Sequence, residues 1–456
     1  MGFEGKKVLV CGMARSGVAA AQCLYECGAK VTICDNKTEQ QLSGALAPLA
    51  GMDIRRCLGG EQPDFPAYDL VVTSPGIPLT APVLKSAAAA GVPIIGELEA
   101  GAQVSRAPLY AITGTNGKTT TTTLVGEIFK NYGKTAYVVG NIGYPFTACA
   151  LSAGPEDVAV AEVSSFQLET TTTFHPHVAV MCNITEDHLN RHGTMEEYIR
   201  IKERIFEKMD ENDFAVLNYD DEIVRGMAAR LHCRAAFFSH RAEVQLGTYV
   251  EDGEMIFVKD GKKKRIIKVD EIYIPGEHNL ENALAAAALT LLAGVPAHVV
   301  RHTLKTFKGV EHRIEFVREL DGVQFINDSK GTNVDSSIQA VRAMKRPTVL
   351  ILGGYDKHTD FTPLCEEIVK NPIEQVVLIG ATAKQCEETL EKVGFHAWEH
   401  AGYDFEKAVR RAFELAQDGG TVLLSPSCAS FDMFDDYEAR GHIFKEIVGR
   451  LESRRA

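Results

Sequence analysis

The chain has 456 residues, 45% apolar and 24% charged, with 61 acidic against 48 basic side chains and a net charge of −13 when histidine is neutral. At about 150 residues per domain, that length predicts about three domains, each with its own core. The acidic balance excludes wholesale wrapping of nucleic acid or docking on an anionic membrane, so an anionic ligand must be gripped locally.

Eleven scattered cysteines without a C-x-x-C pair read as buried thiols in a reducing compartment. Arg15 ends the first apolar stretch too soon for a signal peptide, and no run reaches membrane-spanning length. A cytoplasmic location, no membrane insertion and no nucleic-acid partner are expected.

In chain order, short apolar runs alternate with helical stretches: Val8 to Cys11, an alanine-rich helix from Val18, Val31 to Cys34, Leu70 to Thr73, and Ile94-Ile95. This rhythm predicts parallel strands with crossover helices. A second series comprises Leu109 to Thr113, Val158 to Val163 and Val178 to Ile184. Two-residue alternation around Asp252-Gly253 and Asp260-Gly261 then predicts a small antiparallel sheet. After a helix over Leu280 to Leu292, strands are predicted at Val323 to Asn327, Thr348 to Leu352, Val376 to Ile379 and Thr421 to Leu424. The fold class is α/β in three domains. A Rossmann-like domain is expected over 1–98, a P-loop ATPase-like domain with a mostly parallel sheet over 99–308, and a second Rossmann-like domain over 309–456.

Gly12-Met13-Ala14-Arg15-Ser16-Gly17 after the first strand, with Asp35 after the second, is a near miss to the dinucleotide fingerprint. Ala14 replaces the glycine that lets a pyrophosphate approach the backbone. A nucleotide near the helix N-terminus and a plain packing turn both remain open. Thr73-Ser74-Pro75-Gly76-Ile77 could close the same crevice.

The strongest local signal is Gly114-Thr115-Asn116-Gly117-Lys118-Thr119-Thr120, set between an apolar strand and a helical stretch. Such a loop turns N–H groups toward phosphates, Lys118 neutralises phosphate charge, and the Thr119 hydroxyl suits Mg²⁺. Glu162 ends the next strand, where it is either a metal ligand or a satisfied structural acid. His188 and His192 are spaced as in helical zinc sites, but the glutamate of that motif is missing. A Mg²⁺-linked or phosphate-contacting role suits His188, and a solvated or capping role suits His192. Lys202 borders the apolar face of the helix carrying Tyr198, Ile201, Ile205 and Phe206. It is either a snorkelling lysine or a neutral amine able to take up CO₂ as a carbamate. Asn282 either caps its helix or bonds a base. The last domain places polar loops after its strands, and Lys330, Thr332, Lys357 and Ser430 suit a small amino acid.

Taken together, G-T-N-G-K-T-T, N-I-G at Asn141, E-V-S-S-F-Q-L, N-I-T-E-D-H, the Tyr198-x-x-x-Lys202 helix, H-N-x-x-N-x-x-A-A, E-H-R, N-D-S-K-G-T-N, G-G-x-x-K and S-P-x-x-A-S-F-D resemble the Mur ligase family over residues 12 to 441. The resemblance implies an ATP-driven ligase that joins D-glutamate to UDP-N-acetylmuramoyl-L-alanine through an acyl phosphate and a tetrahedral intermediate, in peptidoglycan precursor synthesis. It implies ATP on Gly114, Thr115, Asn116, Gly117, Lys118, Thr119, Thr120, Asn282, Arg313 and Asp328. It places one Mg²⁺ on Thr119 and Glu162 and a second on His188 and carbamylated Lys202, making Lys118, Glu162, His188 and Lys202 the catalytic set. Arg15, Ser16, Asp35, Asn36, Lys37, Ser74 and Asn141 would face the UDP substrate, and Lys330, Thr332, Lys357, Ser430 and Tyr437 the D-glutamate. Tyr437 departs from the phenylalanine expected there. A monomer is expected. An NAD-dependent oxidoreductase would leave Lys118 and the Glu162 to Lys202 cluster without a role, and the choice of amino acid rests on few side chains.

Overall fold

A computed structural model describes residues 2–355 and 359–454. The chain divides into two compact units, 1–307 and 308–456. The first unit holds two sheets and the second holds one.

The first sheet has the order β3-β2-β1-β4-β5 and is parallel throughout, built from β1 (Lys7–Cys11), β2 (Lys30–Asp35), β3 (Arg55–Leu58), β4 (Leu70–Thr73) and β5 (Ile94–Gly96). Helices cover both faces, so its central strands are apolar without alternation. The first helix begins at Arg15 rather than Val18. Gly17 permits this, because a Cβ there would collide with the Gly12 carbonyl.

The second sheet comprises β6 (Leu109–Thr113), β7 (Ala136–Gly140), β8 (Val158–Glu162), β9 (Val178–Met181), β10 (Phe214–Asn218), β11 (Arg234–Ser239), β12 (Gly247–Glu251), β13 (Glu254–Lys259) and β14 (Lys262–Lys268). Its order is β14-β13-β12-β11-β10-β9-β6-β8-β7. The antiparallel hairpins expected around Asp252 and Asp260 are present, and they extend this sheet through the parallel β11–β12 pair. Both aspartates adopt positive φ, 51°, as tight hairpin turns require. The strand expected to run to Ile184 stops at Met181, because the following residues turn to bond with the glycine loop after β6. Two helices beside the first sheet join the core of the second through Cys23 and Leu98, with Phe146 among the fully buried members.

The second unit carries β15 (Glu315–Leu320), β16 (Val323–Asn327), β17 (Thr348–Gly353), β18 (Ile373–Ile379), β19 (Trp398–Gly402) and β20 (Thr421–Leu424) in the order β15-β16-β20-β17-β18-β19. All pairs are parallel except β15–β16. None of the eleven cysteines forms a disulfide, and all but Cys27 and Cys233 are fully buried. Among the described residues, no helix is long and apolar enough to cross a membrane.

Candidate active site

Ligands of open α/β sheets bind beyond the carboxyl ends of the strands. In the second sheet the neighbours β9, β6 and β8 end level with one another, since Thr113 pairs with Met181 and Ile112 with Glu162. The loops that follow therefore converge.

The glycine loop leaves β6 at Gly114 (φ 145°) and enters the helix Lys118–Asn131 through Gly117, left-handed at φ 82°. A side chain at Gly114 would meet Cys182 Cβ at 2.8 Å, and one at Gly117 would overlap Asn282 Oδ1. Both glycines are therefore required by conformation and by space. Loop 183–185 clamps the outer side. Thr115 N–H donates to Asn183 O at 2.9 Å and Asn116 N–H to Asn183 Oδ1 at 2.8 Å. Thr115 Oγ1 donates to Thr185 O at 3.1 Å and lies 3.1 Å from the Tyr198 hydroxyl. Lys118 Nζ folds back on the carbonyls of Gly114 (3.0 Å) and Thr115 (2.7 Å). A cation and a helix N-terminus thus share one loop, the arrangement that holds phosphate. Asn282 lies in the helix Glu277–Leu292, where it accepts from Thr121 Oγ1 at 3.2 Å.

Glu162 is 1% exposed at the end of β8. Its Oε1 accepts from Asn141 Nδ2 at 2.7 Å, while Oε2 is buried with no hydrogen-bond partner among the described residues. A buried carboxylate oxygen without a donor is costly unless a cation meets it. The site therefore fits a hard divalent ion, which favours oxygen ligands. Asn141 also donates its N–H to Glu162 O at 2.9 Å. Expected among substrate contacts, Asn141 here orients the acid, and Arg15 reaches the same loop by donating to Gly143 O at 3.1 Å.

Lys202 is 2% exposed, far deeper than the border position its spacing implies. It lies in the helix Met195–Glu203 and donates to Gly114 O at 2.8 Å and Thr113 Oγ1 at 3.4 Å, with no carboxylate of the described residues bonded to it. Burial, with Lys118 adding repulsion, pulls its pKa well below the ordinary lysine value. That shift favours the neutral amine, which is the nucleophilic form. His188 precedes the turn Leu189–His192 in a left-handed conformation, φ 54°. Desolvation lowers its pKa and Asp187 opposes, leaving imidazole able to serve as a ligand. His192 corrects an expectation: it is buried, not solvated, with Nε2 3.0 Å from Ser165 Oγ and its ring beside Phe166 and Tyr198.

Asp35 is committed locally in the first sheet. Its Oδ2 accepts from Met13 N–H at 2.7 Å and Oδ1 from Lys37 N–H at 2.9 Å, tying the Gly12 turn to the loop after β2. Ser74 Oγ donates to Gly12 O at 3.0 Å. Arg15, Asn36 and Lys37 are exposed and Ser16 is half-buried on the same edge.

In the second unit, Asp328 follows β16 and is wholly buried, accepting from Ser425 Oγ at 2.8 Å and Ile314 N–H at 3.2 Å. Ile314 has φ 46°, a strained value for a β-branched residue. Burial pushes Asp328 up to about 6, against the pull of Arg313. Because the folded pKa exceeds the ordinary aspartate value of 3.8, Asp328 contributes stability that is present in acid and lost as pH rises through about 6. Asp328→Asn should therefore gain about 3 kcal/mol relative to the parent between pH 4 and pH 7.5. Urea denaturation at both pH values checks this, and a pH-independent difference would contradict it.

Lys330 Nζ lies 5.2 Å from the centre of the Tyr437 ring, and Thr332 N–H donates to Lys330 O at 2.9 Å. Ser430 is buried in the loop after β20, whose Ala429 O accepts from Tyr355 N–H at 3.0 Å. Lys357 lies outside the described residues.

Sequence reasoning missed several supports. Arg440 is fully buried and donates to Ser329 O at 2.8 Å, Cys428 O at 3.1 Å and Ser329 Oγ at 3.0 Å, fastening two of the loops. Arg191 makes a two-pronged pair with Glu169 and stacks 4.1 Å from Phe166. Asn183 lies inside the quoted N-I-T-E-D-H motif, so its signal was available, whereas nothing local marks Arg440.

Three family models match consecutive stretches: a Mur ligase MurD-like N-terminal domain over residues 6–96, a Mur ligase middle domain over 112–290, and a Mur ligase glutamate ligase domain over 312–428. The chain is 47% identical over 457 residues to the UDP-N-acetylmuramoylalanine–D-glutamate ligase of Thermoanaerobacter sp. (strain X514), covering 99% of this chain and 100% of that one. It is 44% identical over 454 residues to the protein of the same name from Clostridioides difficile (strain 630), covering 99% and 100%. Among solved structures, UDP-N-acetylmuramate–alanine ligase from Thermotoga maritima superposes with a TM-score of 0.62 at 19% identity, over 97% of this chain and 99% of that one.

Proposed function

The chain belongs to the Mur ligase family, and from that premise we propose that it joins D-glutamate to UDP-N-acetylmuramoyl-L-alanine, driven by ATP, in the cytoplasmic synthesis of peptidoglycan precursors. The reading is carried by one juxtaposition. The glycine loop with Lys118, the unpartnered oxygen of Glu162 and the desolvated amine of Lys202 meet where β6 and β8 end.

In this reading a carboxylate oxygen of the L-alanyl group attacks the γ-phosphorus, and the bond to ADP breaks. The D-glutamate amine then attacks the acyl carbon and loses a proton, and the tetrahedral adduct expels phosphate to leave the amide. Lys118 and the loop N–H groups hold the transferring phosphoryl group, whose growing charge they neutralise. Thr119 and Glu162 would hold one Mg²⁺, and His188 with Lys202 as carbamate a second. Such ions supply charge neutralisation between two anions that must approach. Lys202 reaches the carbamate when its neutral nitrogen adds to CO₂, forming an N–C bond and releasing a proton.

Arg15, Ser16, Asp35, Asn36, Lys37, Ser74 and Asn141 are assigned to the UDP substrate, with Asn141 acting also through Glu162. Thr120, Asn282, Arg313 and Asp328 complete the ATP set, and Lys330, Thr332, Lys357, Ser430 and Tyr437 are assigned to D-glutamate. The domains are taken as 1–98, 99–308 and 309–456, in a monomer. An acceptor labelled with ¹⁸O in its carboxylate tests the acyl phosphate. One labelled oxygen should appear in inorganic phosphate, and unlabelled phosphate would refute the pathway.

A further inference from the structure

At the amino end of the second sheet, opposite the phosphate loop, three metal-ligating residue types stand in a row. Val178, Phe214 and Arg234 pair in register at the starts of β9, β10 and β11. The residues immediately before them are His177, Asp213 and Cys233. Backbone bonds hold the row, with Phe214 N–H donating to His177 O at 3.1 Å and Arg234 N–H to Asp213 O at 3.0 Å.

Asp213 is the centre. Its side chain is 4% exposed, with Oδ2 2.6 Å from His175 Nε2 and Oδ1 3.5 Å from His177 Nδ1. Asp210 donates its N–H to Asp213 Oδ2 at 2.8 Å, and single ligand atoms of His175, Asp210 and Asp213 all lie within 4.8 Å of one another. Cys233 is half-buried and close enough to feel the charge of both aspartates.

Imidazole nitrogens beside carboxylates, with a thiol at the margin, make a borderline-soft ligand set that suits Zn²⁺ rather than the all-oxygen shells of Mg²⁺ or Ca²⁺. Bonds of about 2.1 Å to a tetrahedral ion put ligand atoms about 3.4 Å apart. The His177 to Asp213 separation already matches. The His175 to Asp213 pair must open by under about 1 Å, which rotation of an imidazole 41% exposed to solvent allows. We propose that His175, His177, Asp210 and Asp213 form a zinc site that ties together the segments leading into β9 and β10. With five-residue strands rising about 3.3 Å per residue, it stands roughly 15 Å from the phosphate loop and takes no part in turnover.

The test uses the full chain, stripped of metal with a chelator, returned to excess Mg²⁺ and titrated with ZnCl₂. About one zinc per chain should survive desalting and raise the melting temperature. Co²⁺ in its place should show the visible absorption of a tetrahedral ion. The double variant His175→Gln, His177→Gln, at rings 41% and 59% exposed, should lose the zinc, the thermal shift and the cobalt band while keeping ATP-dependent turnover. Failure of the parent to retain zinc would overturn the proposal and leave an ordinary ion pair. Undiminished zinc in the double variant would overturn it by placing the ion elsewhere.

Discussion

Replacing Lys118 by alanine is expected to abolish ATP-dependent phosphate release, with a loss in kcat of about 10³-fold or more. In the structure Nζ rests on the carbonyls of Gly114 and Thr115, two neutral acceptors that a phosphate would outbid. The cation stands beside the N-terminus of the helix Lys118–Asn131, so both would act on the same phosphates. Its removal leaves the loop intact, because the fold of that loop depends on Gly114, Gly117 and the Asn183 bonds. The variant should therefore melt close to the parent. Turnover within tenfold of the parent would refute the phosphate-loop assignment.

Lys202→Ala is expected to lose about 10²-fold or more in kcat, and short carboxylic acids such as formate or acetate should restore part of it. The argument rests on burial, which together with the repulsion of Lys118 outweighs the attraction of Asp187 and Glu162. A lysine 2% exposed, bonded to a carbonyl and a hydroxyl and repelled by Lys118, favours its neutral form. CO₂ would add to that form and give a carboxylate able to serve as a metal ligand. Guanidinium cannot make this adduct, so a fully active Lys202→Arg variant would contradict the carbamate. Failure of every small acid to rescue Lys202→Ala would count equally against it.

Much of this architecture was legible in the sequence where parallel strands bury both faces. Leu70–Thr73, Leu109–Thr113, Val323–Asn327 and Thr421–Leu424 lie where their apolar runs predict. Glycine chemistry likewise announced the phosphate loop, since no other residue tolerates the conformations of Gly114 and Gly117. Edge strands such as Glu315–Leu320 and Trp398–Gly402 were hidden because their polar, half-exposed residues carry no continuous apolar signal.

What periodicity could not give was the surroundings of single side chains. His192 is buried by Ser165, Phe166 and Tyr198, which come from two other elements. The depth of Lys202 depends on β6, which lies far from it in sequence. The orientation of Glu162 by Asn141 arises from the pairing of β7 with β8, which brings Gly140 beside Glu162. Local patterns identify such residues, and only tertiary pairing assigns their contacts.

The central claim is that this ligase adds D-glutamate. The most direct measurement is ATP-dependent phosphate release with UDP-N-acetylmuramoyl-L-alanine and Mg²⁺ across a panel of D- and L-amino acids, with the amide product identified by mass. Release stimulated by D-glutamate above every other amino acid, with the matching product, is the predicted result. Stimulation by a different amino acid, or release that no amino acid stimulates, would contradict it.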